Sequence, residues 1–233
     1  MNIVKKYEFE MAHIVRNAYT RRCSHSIHGH TYTAEIGLAQ DHKRKLDELK
    51  LDVIDSQFTD ILDGAQMIVD FGHLKSFVKP FIDSFDHTTL LWSKDEPEVI
   101  EFFKNNFERV IIMPVSSSCE MMSMIFAYTI NRLFDEMDSI TIESDMPVDS
   151  PLRDIAWPAN SPFRDIMCNH VTIHETSTGR AVFNLKDLNY EAAVLAINTT
   201  EKVFNETWFS DAIQKDWPIE FKYLMAEIFK TVK

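Results

Sequence analysis

The chain has 233 residues, 45% of them hydrophobic and 26% charged, the balance of a soluble globular protein able to bury one substantial core. A net charge of −12 excludes broad nucleic-acid binding, which needs a basic face. Three cysteines make no disulfide framework, and no apolar run approaches the roughly 20 residues that span a bilayer. A cytoplasmic protein with no membrane and no nucleic-acid partner is expected.

In chain order, "NIVKKYEFEMAHIV" reads as a strand, and "IHGHTYTAEIGLA" alternates as a half-buried strand should. The polar stretch "RNAYTRRCSHS" between them makes an unusually long connection for an antiparallel pair, and loops of that size are often functional. Residues 41–64 have a charged, helical rhythm and read as an excursion from the core. "QMIVDF" reads as a short strand and "GHLKSFVKPFIDSF" as an amphipathic helix with its exit at Asp86 and His87. "EPEVIEFFKNNF" is a short helix with acids in its first turn, "RVIIMPV" a buried strand, and "SSSCEMMSMIFAYTINRLFDEM" the clearest helix, serine-capped with Glu120 near its start. "SITIES" reads as a further strand. A four-proline loop follows, then a hairpin from "HVTIHET" and "RAVFNL", and the last fifty or so residues read as helical. The order suggests an α+β fold rather than a doubly wound parallel sheet.

Two residues apart on a strand means one face, so His28 and His30 can approach a single metal ion, with Gly29 allowing close approach behind them. Antiparallel pairing can bring His13 beside them, and three imidazoles leave the fourth position of a zinc ion open, as in catalytic sites. The alternative is three ordinary strand histidines. His25 reads as a loop-packing residue. Cys23, flanked by Arg21 and Arg22, is placed to be a reactive thiolate, whereas Cys119 and Cys168 read as structural. Lys5, Lys6, Arg16, Arg21 and Arg22 crowd the first thirty residues, where phosphate contacts are expected. Asp86 can orient His87 and raise its basicity, making a proton-transfer pair. Glu175 can accept two N–H bonds from a 2-amino-4-oxo ring, or can equally be a solvated strand end.

Together these pieces resemble the 6-pyruvoyltetrahydropterin synthase family, which includes 6-carboxy-5,6,7,8-tetrahydropterin synthase. The matching stretches, in the family's order, are "FEMAH", "C…HGHTY", "MIVDFGHLK", "FDHTTL", "SSCEMMS" and "VTIHETSTGRAVF". The resemblance implies the tunnelling fold, an antiparallel sheet with helices packed on one face. It also implies a trimer-based homo-oligomer, possibly a hexamer, with active sites between subunits. Zn2+ would sit on His13, His28 and His30, with Cys23 as general base and Asp86–His87 as its proton-transfer partner. Glu175 would anchor the pterin and Glu120 would assist from the helix start. The implied substrate is 7,8-dihydroneopterin triphosphate, converted to 6-carboxytetrahydropterin, acetaldehyde and triphosphate for a 7-deazaguanine (queuosine-type) pathway. The alternatives are the pyruvoyl-forming elimination, a zinc-containing pterin-binding module without turnover, or an unrelated zinc hydrolase.

The chain departs from familiar members in three ways. Four residues separate Cys23 from "HGH" where three or five are usual, and Met121 follows Glu120 where relatives carry Asn. Additional segments near 41–64 and 144–167, within a catalytic domain of residues 1–184, precede a helical extension over 185–233.

Overall fold

A computed structural model describes residues 2–40, 68–139, 166–187 and 209–231. Strand β1 (Asn2–His13) and strand β2 (His28–Gln40) form a long antiparallel pair, in register from Asn2 opposite Ala39 to His13 opposite His28. Alternation sorts the side chains: Tyr7, Phe9 and Met11 lie on one face with Ala34, Tyr32 and His30 opposite them. Lys6, Glu8 and Glu10 take the other face, with Thr31, Thr33 and Glu35.

Four more strands complete the sheet among the described residues: β3 (Thr88–Trp92), β4 (Val110–Met113), β5 (Ile166–His174) and β6 (Arg180–Asn184), in the order β4-β3-β1-β2-β5-β6. The architecture is α+β, with β1, β2, β5 and β6 antiparallel as expected. The sheet as a whole is mixed, because β3 runs parallel to β1 and β4 parallel to β3.

Helices α2 (Phe71–Asp83) and α4 (Cys119–Ser139) supply most of the apolar cover on one face; a four-residue turn, α1 (Arg21–Ser24), precedes them in the β1–β2 loop. Phe9, Phe81, Phe85 and Phe126 meet there, with Phe85 and Phe126 ring centroids 4.7 Å apart and Phe9 stacked on Tyr32 at 5.2 Å. Each such side chain contributes about 1.5–3 kcal/mol by leaving water. On the other face, helix α3 (Pro97–Asn106) sets Phe103 against Leu91 and Val110 in a separate small cluster. Helices α5 (Asp211–Asp216) and α6 (Ile219–Thr231) close the chain; Phe221, Leu224 and Ile228 of α6 join the main core.

The expected strand at "QMIVDF" is not formed over its described part: Ile68 and Val69 lie in a bend and Asp70 caps α2, its carboxylate accepting the Gly72 amide at 2.6 Å. Such a cap is worth about 1 kcal/mol. "TTLLW" is a strand that the residue pattern did not single out. The expected excursion at 41–64 and the strand "SITIES" lie outside the described residues, apart from Ser139 at the end of α4. So does the proline-rich loop. Of the segment near 144–167, only Ile166 and Met167 are described, and both belong to β5.

At Gly37 the β2–β5 pairing shifts register, and His170 lies opposite it. A Cβ placed on Gly37 would come within 1.9 Å of the His170 ring, so the imidazole rests directly on the glycine.

Candidate metal centre and its surroundings

The end of the β1–β2 pair brings three imidazoles together. His13, fully buried, faces His28, and His30 follows two residues along the same face. Ring centroids lie 4.6 Å (His13–His28), 5.4 Å (His13–His30) and 5.1 Å (His28–His30) apart, and one nitrogen from each falls within 4.8 Å of the others. These three residues can hold a metal ion.

The surrounding hydrogen bonds orient the rings. His13 Nδ1 lies 2.8 Å from the Ser117 carbonyl, and His28 Nδ1 lies 3.0 Å from the Ser26 carbonyl. A carbonyl only accepts, so each Nδ1 carries the proton and each Nε2 is left as a lone pair. Burial, the largest influence, pushes the His13 pKa down despite the opposing effects of the Ser117 carbonyl and Glu175, which favours the neutral ligand form.

That tautomer creates a conflict with Glu175. The Glu175 carboxylate, one residue beyond β5 and partly exposed, lies 3.3 Å from the buried His13 Nε2, so two acceptors face each other. The Tyr32 hydroxyl is 3.2 Å from the same nitrogen, but it has a single proton, and Glu175 competes for it. Donation of the His13 lone pair to a cation held with His28 and His30 removes the conflict and leaves the carboxylate free. The donor set therefore fits a metal ion.

Glu175 has a further partner. The Cys119 thiol, at the start of α4, hydrogen-bonds the same carboxylate. Burial first, and then the negative charge of Glu175, push this thiol far up, so it remains protonated and donates. No spacing in the sequence links positions 119 and 175, so this contact is invisible to a reading of the residues, in which Cys119 is structural. Glu120 beside it is exposed in the first turn of α4.

Cys23 sits half-buried on α1, its carbonyl accepting the Val15 amide at 2.9 Å. Arg21 and Arg22 beside it are exposed and carry no ion pair among the described residues. Other basic groups of this region are engaged: Lys6 pairs with Glu35 at 2.6 Å, and Arg16 with buried Asp95 at 2.5 Å. Lys5 lies over the Phe71 ring. Only Arg21 and Arg22 of the five keep the freedom expected of phosphate contacts. His25 is exposed, bonded to Ser24 Oγ, and outside the histidine cluster.

Asp86 and His87 form a second centre. Asp86 Oδ2 lies 2.8 Å from His87 Nδ1, which leaves the other ring nitrogen of His87 toward solvent; the side chain is 73% exposed. The turn is tied to β1 through both main-chain groups of one residue: the Glu10 amide donates to Asp86 Oδ1 at 2.8 Å, and the His87 amide donates to the Glu10 carbonyl at 2.6 Å. His87 adopts φ 55°, a left-handed conformation that makes both bonds possible before β3 begins. Burial works against ionisation of Asp86. The Glu10 amide, the His87 ring and the Arg109 guanidinium together outweigh it and hold the carboxyl below its ordinary range.

The two centres do not touch within one chain: no hydrogen bond, ion pair or ring contact joins Asp86 or His87 to the three histidines among the described residues. His87 instead lines a cavity of about 630 Å3 with Glu10, Gly29, Thr31 and Arg109, and His30 borders it.

The chain matches the family model described as "6-pyruvoyl tetrahydropterin synthase" over residues 2–145. It is 29% identical over 188 residues to a 6-carboxy-5,6,7,8-tetrahydropterin synthase of Helicobacter pylori strain J99, covering 81% of this chain and 74% of the relative. The same enzyme from strain 26695 is 28% identical over the same shares. Among solved structures, an uncharacterized protein of Wolinella succinogenes aligns with TM-score 0.49 and 15% identity, over 79% of this chain and 98% of that one. A 6-pyruvoyl tetrahydropterin synthase of Plasmodium vivax aligns with TM-score 0.44 and 15% identity over the same shares. No helix among the described residues is long and apolar enough to cross a membrane.

Proposed function

This chain belongs to the 6-pyruvoyl tetrahydropterin synthase family, and from that premise we propose that it is a zinc-dependent lyase acting on 7,8-dihydroneopterin triphosphate. The products would be 6-carboxy-5,6,7,8-tetrahydropterin, acetaldehyde and triphosphate; the first of these is the compound in the name of its Helicobacter relatives. The observation that carries the reading is the convergence of His13, His28 and His30 on a site bordered by Glu175.

His13, His28 and His30 would hold zinc, which when bound would supply Lewis acidity toward the oxygens of the substrate side chain. Glu175, held in place by Tyr32 and Cys119, presents a carboxylate edge that fits the paired N–H groups of a pterin. Glu120, at the head of α4, assists substrate binding. Arg21 and Arg22 are free to meet the triphosphate. Cys23 removes a proton from the side chain, and the Asp86–His87 pair carries protons to and from it, Asp86 keeping the imidazole oriented. The separation of this pair from its own chain's histidines supports a site completed by a second copy, in a trimer-based homo-oligomer.

Product analysis tests the reading. Purified, zinc-loaded protein is incubated with 7,8-dihydroneopterin triphosphate beside a Cys23→Ala variant. Acetaldehyde and a 6-carboxy pterin, lost in the variant, are expected. A pyruvoyl product would assign the elimination instead, and bound pterin without turnover would reduce the protein to a binding module.

A further inference from the structure

Arg109 stands at the entrance to β4, where its carbonyl accepts the Thr89 amide at 3.1 Å, and its side chain spans two parts of the molecule. Nε donates to the Asp86 carbonyl at 3.0 Å and Nη2 to the Asp83 carbonyl at 3.2 Å. Asp83 is the last residue of α2, and its carbonyl also accepts the Asp86 amide at 3.1 Å; Asp86 lies in the turn just beyond, so the guanidinium sits at the negative end of the helix, where a cation is favoured. Nη1 forms an ion pair with Asp216, the last residue of α5.

The C-terminal segment grips the same place at further points. Phe209 bridges to Ile111, and the Ser210 hydroxyl donates to the Glu108 carbonyl at 2.7 Å while its amide donates to the Val110 carbonyl at 3.2 Å. The Trp217 indole donates to Ser84 Oγ at 2.7 Å, two residues before Asp86. Phe209 also packs on Phe85 and Trp217. The family match ends at residue 145, so none of the segment from 209 to 217 lies within it.

We propose that Arg109 is a positioning residue for the Asp86–His87 pair, and that Asp216 and the C-terminal segment fix Arg109 in that task. The extension is then a working part of the active site. One planar guanidinium ties Asp83 and Asp86 to Asp216, so the left-handed turn at His87 is held from below by Arg109 and from the side by Glu10. A lysine has the charge without the fork and cannot span the three acceptors. This inference rests on the proton-transfer role given to Asp86–His87 above.

The test uses full-length, zinc-loaded protein and the variants Arg109→Gln, Arg109→Lys, Asp216→Asn and His87→Ala, with kcat and KM measured across pH. Misplacement of a catalytic group by about 1 Å can cost a hundredfold, so Arg109→Gln should lower kcat roughly ten- to hundredfold while KM stays nearly unchanged. Asp216→Asn, at a 68% exposed side chain, should fall between Arg109→Gln and wild type without loss of fold. The acid limb of kcat should move to higher pH in Arg109→Gln, because Asp86 loses a positive neighbour; the acidic Glu10, Asp83, Glu108 and Asp216 remain around it. Arg109→Lys should recover part of kcat. Amide exchange at His87 should speed up in Arg109→Gln and Asp216→Asn while that of β1 and β2 is unchanged. In a double-mutant cycle, Arg109→Gln should add nothing to His87→Ala. Full kcat and an unmoved pH profile in Arg109→Gln and Asp216→Asn, with His87→Ala inactive, would overturn the inference and leave the proposed function intact. An active His87→Ala would overturn the reading on which the inference depends.

Discussion

Ser117 holds His13 across 104 residues of sequence and ties down its neighbour Ile14 as well. The Ser117 carbonyl meets His13 Nδ1 at 2.8 Å, and the Ser117 hydroxyl donates to the carbonyl of Ile14, the next residue after His13, at 2.7 Å. The approach to α4 thereby sets the rotation of an imidazole at the end of β1.

Ser117→Ala should loosen both. The buried Ile14 carbonyl loses its donor, which costs about 1–3 kcal/mol in unfolding experiments. Loss of a group orienting a ligand typically lowers metal affinity 10- to 100-fold, and about tenfold is expected here, read by chelator competition. Unchanged affinity would mean that the backbone alone holds the Ser117 carbonyl in place.

Substitution of any one of His13, His28 and His30 by alanine should remove tight metal binding, because two imidazoles cannot form the three-ligand set of a zinc site. Wild type should retain about one zinc ion per chain after dialysis, measured by elemental analysis. His25→Ala should retain it as well; loss of zinc from that variant would make His25 a ligand and sink the triad.

Asp86 predicts an acid-side loss of stability with a definite sign. Its carboxyl is held below the ordinary range in the folded protein, so the unfolded chain binds the proton first as pH falls. The stabilisation is complete above the usual carboxylate pKa of about 3.9 and disappears as pH drops through the folded value. Denaturant curves of wild type and Asp86→Asn should therefore differ at pH 6 and converge toward pH 2.5. A constant gap would show that the carboxylate's charge contributes nothing.

If the site is shared between chains, two dead variants should rescue each other. Cys23→Ala and His87→Ala, unfolded together and refolded as a mixture, should regain a fraction of activity, since some interfaces combine intact Cys23 with intact His87. No recovery, with oligomers shown to have mixed, would place both residues of one working site in the same chain.

The histidine triad was legible because it depends on short-range rules: alternation puts His28 and His30 on one face, and a hairpin returns the chain to His13. What escaped reading depends on distant partners. "TTLLW" is a strand only because β1 offers a parallel edge, with Met11 opposite Thr88, which no local pattern records. "QMIVDF" has β-branched residues suited to a strand, but the Asp70 cap on Gly72 claims its end for a helix. Lys6 and Arg16 read as phosphate contacts until Glu35 and Asp95, 29 and 79 positions away, engaged them. The same holds for Cys119, whose partner lies just past the end of β5, and for Arg109, whose side chain answers carbonyls at and just beyond the end of α2 and an acid near the C-terminus.

The seat of His170 on Gly37 bears on how β5 finds its place. A sheet face patterned by alternation cannot distinguish the correct alignment from one displaced by two residues, because the same faces remain buried. Displacement would bring Glu35 or Ala39 beneath the imidazole, and the His170 ring would have to swing aside to make room for a side-chain carbon. Gly37 therefore acts as a keyway that favours one alignment. Two residues of travel amount to about 7 Å, enough to carry Glu175 wholly out of reach of His13. A glycine with no chemistry of its own thus helps to set where the carboxylate at the metal centre arrives.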